Sequence, residues 1–302
     1  MKELIDEILE LRKERNALIL AHNYQRPEIQ DIADFVGDSL ELSVKAAETK
    51  AEVLVFCGVH FMAETAAILS PEKKVLLPDI DAGCPMADMV DVEELRRMKN
   101  EQPDMAVICY VNTSAEVKGE SDACCTSANA VKVVQNTKAR KILFVPDRHL
   151  GAYVSEVTGK ELLLWPGFCP THARIKPEDI LKSRTEYPGA HVVVHPECSR
   201  EVRSLADAVL GTGGIIRYAR ERDFSALIVG TETGILYRLR KENPRKTFVA
   251  ASAKAVCPNM KRTTLEKVLE SLRTLAPEVS VSEEIRSRAR TSLDRMLALG
   301  RN

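Results

Sequence analysis

Val75-Leu76-Leu77-Pro78-Asp79-Ile80-Asp81-Ala82-Gly83-Cys84-Pro85 decides the fold. It is a short apolar run, a polar loop and then a Cys-Pro pair. The same order of features returns at Leu162-Leu163-Leu164-Trp165-Pro166 ahead of Phe168-Cys169-Pro170. It returns again at Thr247-Phe248-Val249-Ala250-Ala251 ahead of Val256-Cys257-Pro258. The cysteines are 85 and 88 residues apart, and none of the other five precedes a proline. Three similar blocks at near-equal spacing mark an internal triplication.

Working outward, two more apolar runs precede each of these blocks. They are Ala17–Tyr24 and Val53–Gly58, then Ala106–Val111 and Ile142–Asp147, then Val192–Glu197 and Ala226–Gly230. Apolar runs of this length, bounded by Gly, Pro and polar residues, read as buried strands. Helical patterns lie between them, such as Leu40–Thr49, Ala128–Gln135 and Ile215–Arg222. Strands alternating with helices imply right-handed βαβ units and parallel sheets. The predicted fold is therefore α/β, with three similar αβα units that each hold a three-stranded parallel sheet. The expected units are residues 1–88, 89–173 and 174–302, the last with additional C-terminal helices.

Composition narrows the function. The chain has 302 residues, 45% hydrophobic and 29% charged, with a net charge of −1. That is ample for a buried core, and no basic field draws it to nucleic acid or an anionic membrane. No apolar run approaches the roughly 20 residues of a membrane span. Met1–Arg15 is charged and helical in pattern, without the apolar centre of a signal peptide. A cytoplasmic location is expected. Eight cysteines in such a chain read as thiols or metal ligands rather than disulfides. No Cys-x-x-Cys pair is present, which weakens a structural zinc reading.

The Cys-Pro trio is the candidate ligand set. Proline fixes φ and opens helices, and a cysteine ahead of a helix start is expected to have a lowered pKa. Cys-Pro also closes some ferredoxin ligand runs. Cys57 and Cys109 sit inside apolar strands and read as core. Cys124 and Cys125 adjoin an expected helix start, so either could be reactive. A second register lies at the ends of the first strands, at His22/Tyr24, Tyr110/Asn112 and His195/Glu197. Alternation puts both members of each pair on one face. Seventeen residues beyond each first member stands a hydroxyl, at Ser39, Ser127 and Thr212, each at or near a predicted helix start. Such hydroxyls cap helices or bind anions, and the two roles can coexist. His172 stands three residues beyond Cys169, while His60 and His149 lie near second-strand ends. Parallel α/β sheets bind ligands at the carboxyl ends of their strands, so three such ends about one axis would make one central site.

At these motifs the chain resembles the quinolinate synthase (quinolinate synthetase A) family. The matching segments begin with Ala21-His22-Asn23-Tyr24-Gln25, Gly37-Asp38-Ser39 and Gly58-Val59-His60-Phe61-Met62-Ala63-Glu64. They continue with Tyr110-Val111-Asn112-Thr113-Ser114-Ala115-Glu116-Val117-Lys118, Cys125-Thr126-Ser127-Ala128-Asn129-Ala130 and Pro146-Asp147-Arg148-His149-Leu150-Gly151. Further matches are Trp165-Pro166-Gly167-Phe168-Cys169, His195-Pro196-Glu197-Cys198, Val229-Gly230-Thr231-Glu232 and Cys257-Pro258-Asn259-Met260-Lys261. They span about residues 15–275. Some longer relatives carry a Cys-x-x-Cys near the position of Cys257. This chain does not, so a disulfide switch is not carried over.

The resemblance implies three α/β units about a pseudo-threefold axis. It implies condensation of iminoaspartate with dihydroxyacetone phosphate to quinolinate in de novo NAD biosynthesis. An aspartate-oxidising enzyme is a candidate transient contact. It also implies one [4Fe-4S] cluster acting as a Lewis acid, held by Cys84, Cys169 and Cys257, with one iron not ligated by protein. Implied substrate contacts are His22, Tyr24, Ser39, Tyr110, Asn112, Ser127, His172, His195, Glu197 and Thr212. Glu197, Tyr24, His195 and Tyr110 are the candidate catalytic groups. A carboxylate in a closed pocket is expected to have a raised pKa, which suits Glu197 as a base. The alternatives are an iron–sulfur hydro-lyase of a hydroxy acid and a zinc-stabilised binding protein.

Overall fold

The structure is a computed structural model and describes residues 1–299. Residues 300–302, the end of the third expected unit, lie outside the described residues.

Among the described residues, twelve strands form three sheets. The first sheet holds β1 (Ala17–His22), β2 (Phe35–Gly37), β3 (Val53–Cys57) and β4 (Lys74–Leu76). The second holds β5 (Met105–Tyr110), β6 (Ala123–Cys125), β7 (Lys141–Val145) and β8 (Leu163–Leu164). The third holds β9 (His191–Val194), β10 (Ala208–Val209), β11 (Ala226–Gly230) and β12 (Thr247–Ala250). Their orders are β2-β1-β3-β4, β6-β5-β7-β8 and β10-β9-β11-β12, so each unit repeats one topology. All the pairings in these ladders are parallel. The α/β class and the three similar units stand as expected.

Each sheet has four strands, not three. The additional ones, β2, β6 and β10, run for only three, three and two residues. Segments that short cannot show a period, so nothing in their composition announces a strand. They are pinned in one way throughout. Asp34, Asp122 and Asp207 each stand 15 residues beyond the partner residue on the first strand of their sheet. Their carboxylates accept the backbone N–H of Ile19, Val107 and Val192 at 2.8, 2.8 and 2.7 Å. Their own N–H groups return to the carbonyls of the same three residues. Each aspartate thus substitutes for ladder bonds where the edge strand is too short to make them.

The first strands end early. β1 stops at His22 and β9 at Val194, so Tyr24, His195 and Glu197 sit in the turns beyond. Two of these turns have the same lock: His22 Nδ1 accepts the Tyr24 N–H at 3.2 Å, and His195 Nδ1 accepts the Glu197 N–H at 3.3 Å. The turn, rather than strand alternation, directs both members of each pair to one side.

The C-terminal helices pack away from the third sheet. Leu265–Thr274 buries Leu265, Val268, Leu269 and Leu272 with Ile8 of the N-terminal helix in a core under the first sheet. Glu283–Leu299 lies against the second unit, where Ser292 Oγ donates to the Lys118 carbonyl at 2.8 Å. Among the described residues, no helix is long and apolar enough to cross a membrane.

Candidate active site

The strand ends of all three sheets open on one cavity. The first unit supplies His22, Tyr24, Ser39 and Cys84 to its wall. The second supplies Tyr110, Asn112, Ser127, Cys169 and His172. The third supplies His195, Glu197, Thr212 and Cys257. Every candidate ligand and substrate contact read from the sequence therefore faces a single space. His60 and His149 do not line it.

A chain of short hydrogen bonds crosses the cavity wall. Tyr110 OH donates to Glu197 Oε1 at 2.6 Å. Glu197 Oε2 meets His172 Nδ1 at 2.6 Å. His172 Nε2 meets Thr231 Oγ1 at 2.8 Å, and Thr231 Oγ1 meets Tyr24 OH at 2.5 Å. The two tyrosines are thus joined through a carboxylate, an imidazole and a hydroxyl, all buried. His195 stacks on His172 with ring centroids 4.6 Å apart. Thr231 had no role assigned from sequence. The signal was its place beside Gly230, at the end of β11.

Burial sets the charge states. It pushes His22 down to about 3, helped by the Lys261 ammonium. It likewise pushes His195 down to about 3. Both imidazoles are neutral at pH 7, and each uses Nδ1 as an acceptor, so the proton resides on Nε2. From there His195 donates to Ser127 Oγ at 3.2 Å. Burial and the Glu197 charge hold both Tyr24 and Tyr110 well above the ordinary phenol value, so they remain donors. Glu197 departs from expectation. Burial pushes its carboxyl up, but His172 and the Tyr110 hydroxyl outweigh burial, and its pKa lies below the ordinary range. Isolation raises a carboxyl, whereas this one is surrounded by donors.

The hydroxyl register is partly altered. Ser39 and Thr212 are the first residues of helices Ser39–Glu48 and Thr212–Glu221. Asp38 caps the first of these by accepting from Leu40 and Glu41, which leaves the Ser39 hydroxyl free of that duty. Ser127 is not at a helix start. It lies in a turn closed by Asn129 Oδ1 accepting the Thr126 N–H at 2.7 Å, and the helix begins at Ala130. Asn112 Oδ1 is buried without a protein partner among the described residues, as a group reserved for a ligand would be.

The three Cys-Pro cysteines share a local geometry. Nearby backbone N–H groups favour the thiolate at each sulfur: those of Ala87 and Met86 at Cys84, that of His172 at Cys169, and those of Met260 and Asn259 at Cys257. In each unit the donor three residues on is present. The expected lowering of their pKa does not follow. Burial pushes Cys84 up to about 12, Cys169 well above its ordinary value and Cys257 upward, because these donors do not offset desolvation. Thiols of this kind ionise when a metal charge enters and the preset N–H groups then meet the anionic sulfur. Among the described residues the three thiols do not form a group tight enough for one ion. Only Cys169, His172 and Glu197 place ligand atoms within 4.8 Å of one another, and these three already hydrogen-bond together. A trio lining one cavity but too wide for a single ion fits a larger inorganic group better than zinc.

The remaining cysteines are elsewhere. Cys57, Cys109 and Cys198 are fully buried. Cys124 and Cys125 are not at a helix start. They lie in β6, fully buried, and burial raises both thiols, so neither is poised as a reactive group.

The comparison with known proteins now bears on this cavity. The family profile described as quinolinate synthetase A protein matches residues 6–298. The chain belongs to the quinolinate synthetase A family. A quinolinate synthase of Dehalococcoides mccartyi (strain CBDB1) is 62% identical over 297 residues, covering 98% of each chain. One of Desulforudis audaxviator is 58% identical over 298 residues, also covering 98% of each. One of Geotalea uraniireducens is 56% identical over 300 residues, covering 99% of each. These relatives are named as enzymes, and this family member is an enzyme too. Its cavity is the part of the fold that gathers polar groups from all three units.

Proposed function

We propose that this enzyme condenses iminoaspartate with dihydroxyacetone phosphate to give quinolinate, phosphate and two waters for NAD biosynthesis. The observation that carries the reading is the meeting of three equivalent Cys-Pro cysteines with the neutral histidines, tyrosines and Glu197 in one cavity. Cys84, Cys169 and Cys257 would hold a [4Fe-4S] cluster. Such a cluster, with one iron not bound by protein, supplies a Lewis acid for a substrate oxygen. A cytoplasmic setting with iminoaspartate supplied by an aspartate-oxidising enzyme belongs to the same reading.

The chain's own groups do the binding and move the protons. The substrates carry two carboxylates and one phosphate. Thr212 offers a hydroxyl at a helix N-terminus without a side-chain cap, where free N–H groups and partial positive charge favour anions, and Ser39 offers one at a terminus whose Leu40 and Glu41 N–H groups Asp38 already occupies. Ser127 does so from its turn, aligned by the Nε2 proton of His195. Asn112 adds a half-buried amide whose buried oxygen has no partner among the described residues. Neutral His22 and His195 donate without attracting a fixed negative charge of their own.

Isomerising the triose and dehydrating the adduct both require proton transfer. Tyr24 and Tyr110 keep their protons at neutral pH and can donate. Glu197 is ionised and accepts. Its low proton affinity suits brief uptake of a proton that passes on to His172 or Tyr110, rather than lasting storage. Thr231 lets a proton leaving Tyr24 be replaced from His172. The test is an anaerobic assay for quinolinate from the two substrates. Absence of product from iron-loaded protein would reject the reading. In the same assay Glu197→Gln keeps the size but loses the base, and kcat should fall about 100-fold or more.

A further inference from the structure

Asp147 and Glu232 occupy one place in two units. They are 85 residues apart, and each stands two residues beyond its strand, β7 or β11. Both are fully buried. Asp147 Oδ1 caps the helix Arg148–Thr158 through the N–H groups of His149 and Leu150 at 2.8 and 2.7 Å. Its Oδ2 reaches across the unit to accept the Cys169 N–H at 3.1 Å. Glu232 Oε2 accepts the Gly234 N–H at 2.6 Å, and its Oε1 accepts the Cys257 N–H at 3.1 Å. Gly234 makes room for this fold-back, since a Cβ there would lie 2.8 Å from Glu232 Oε2 and 2.6 Å from the Tyr24 carbonyl. The pattern of one oxygen on its own turn and the other on the cysteine is thus repeated.

The first unit breaks the pattern. The equivalent position is Val59, buried and unable to accept. There the residue before Cys84 is tied differently, with the Gly83 carbonyl accepting from Asn259 Nδ2 of the third unit at 2.8 Å. A carboxylate beside a prospective thiolate also costs electrostatic energy. Its presence in two units is therefore not explained by activating the sulfur. It is explained by fixing the backbone from which the sulfur projects.

We propose that Asp147 and Glu232 are positioning residues for the metal centre, each locking the backbone of one ligand cysteine, while the Cys84 segment has no such carboxylate and is tied by backbone bonds within its own unit and by Asn259 of the third. The inference rests on the cluster reading above. Supporting groups of this kind typically change metal retention 10- to 100-fold when removed. The test uses full-length Asp147→Asn and Glu232→Gln proteins, reconstituted anaerobically with iron and sulfide beside wild type. Asparagine retains an oxygen for the helix cap, and circular dichroism checks that each variant is folded. If one variant does not fold, the other decides.

Iron and sulfide per chain are measured first, and then the rate at which a chelator bleaches the visible absorbance. Loss about tenfold faster or more in the variants is expected. Exchanging Glu232 for glutamine also removes a negative charge and leaves the Lys261 ammonium unpaired, so the reduction potential of that variant should move upward, which looser folding alone would not cause. Variants that retain iron as firmly as wild type, at an unchanged potential, would overturn the inference and leave the cluster reading standing. Wild-type protein that takes up no iron would overturn the cluster reading and this inference with it.

Discussion

Thr231→Val removes one oxygen and keeps the side-chain shape. Thr231 is 1% exposed and lies behind the cavity wall, so substrate contacts should be unaffected. Its hydroxyl spans Tyr24 OH at 2.5 Å and His172 Nε2 at 2.8 Å. Valine leaves both groups buried with a partner missing. Each unsatisfied group costs about 1–3 kcal/mol. If about 3 kcal/mol of the combined loss falls on the step that needs an aligned Tyr24, kcat drops roughly 100-fold. Each kcal/mol that falls instead on the fold lowers the thermal midpoint by about 2 °C. The assay is steady-state quinolinate formation under anaerobic conditions, with iron content matched to wild type. KM for both substrates should hold, and Thr231→Ser should recover most of kcat. A folded, iron-loaded valine variant within about threefold of wild-type kcat would refute the hydroxyl bridge.

Other substitutions separate the roles. Cys169→Ser should abolish or severely disrupt the iron centre, while Cys57→Ser should leave it in place. Iron content of anaerobically purified protein decides this, and a fully loaded Cys169→Ser protein would mean that the ligands were chosen wrongly. Thr212→Ala or Ser39→Ala should raise KM about tenfold with the iron content unchanged, since each removes about one hydrogen bond to an anion. Acid stability provides a further check. His22 and His195 are held at about 3 when folded against 6.5 unfolded, so the unfolded chain binds more protons below pH 6.5. Their contribution is present above that pH and is lost as the pH falls toward 3, about 2 kcal/mol each between pH 6 and 4. Asp147, raised to about 7 by burial and Glu197, acts in the opposite direction over that range. Chemical denaturation of His22→Asn at pH 6 and pH 4 should show a stability loss about 2 kcal/mol smaller than that of wild type. An unchanged loss would show that His22 is not held neutral.

The sequence by itself determined the repeat, the parallel α/β class and the membership of the site. Apolar runs, helix starts and Cys-Pro pairs are local features, and triplication copies them at nearly constant spacing. Asp34, Asp122 and Asp207 belong to the same repeat, 88 and 85 residues apart, and each sits beside a short edge strand. Only the tertiary structure decided the rest. Strands of two or three residues exist because a neighbouring strand and an aspartate complete their hydrogen bonds, and no local pattern encodes that. The ionisation of Glu197 depends on His172, which another unit brings within 2.6 Å. The thiols of Cys84, Cys169 and Cys257 are raised because three units close around them, which outweighs their backbone donors. Thr231, Asp147 and Glu232 acquire meaning only through partners 207, 22 and 25 residues away. Local chemistry is carried by residue type and spacing, but desolvation and pairing are set by what the fold places opposite, and that is a property of the packed chain.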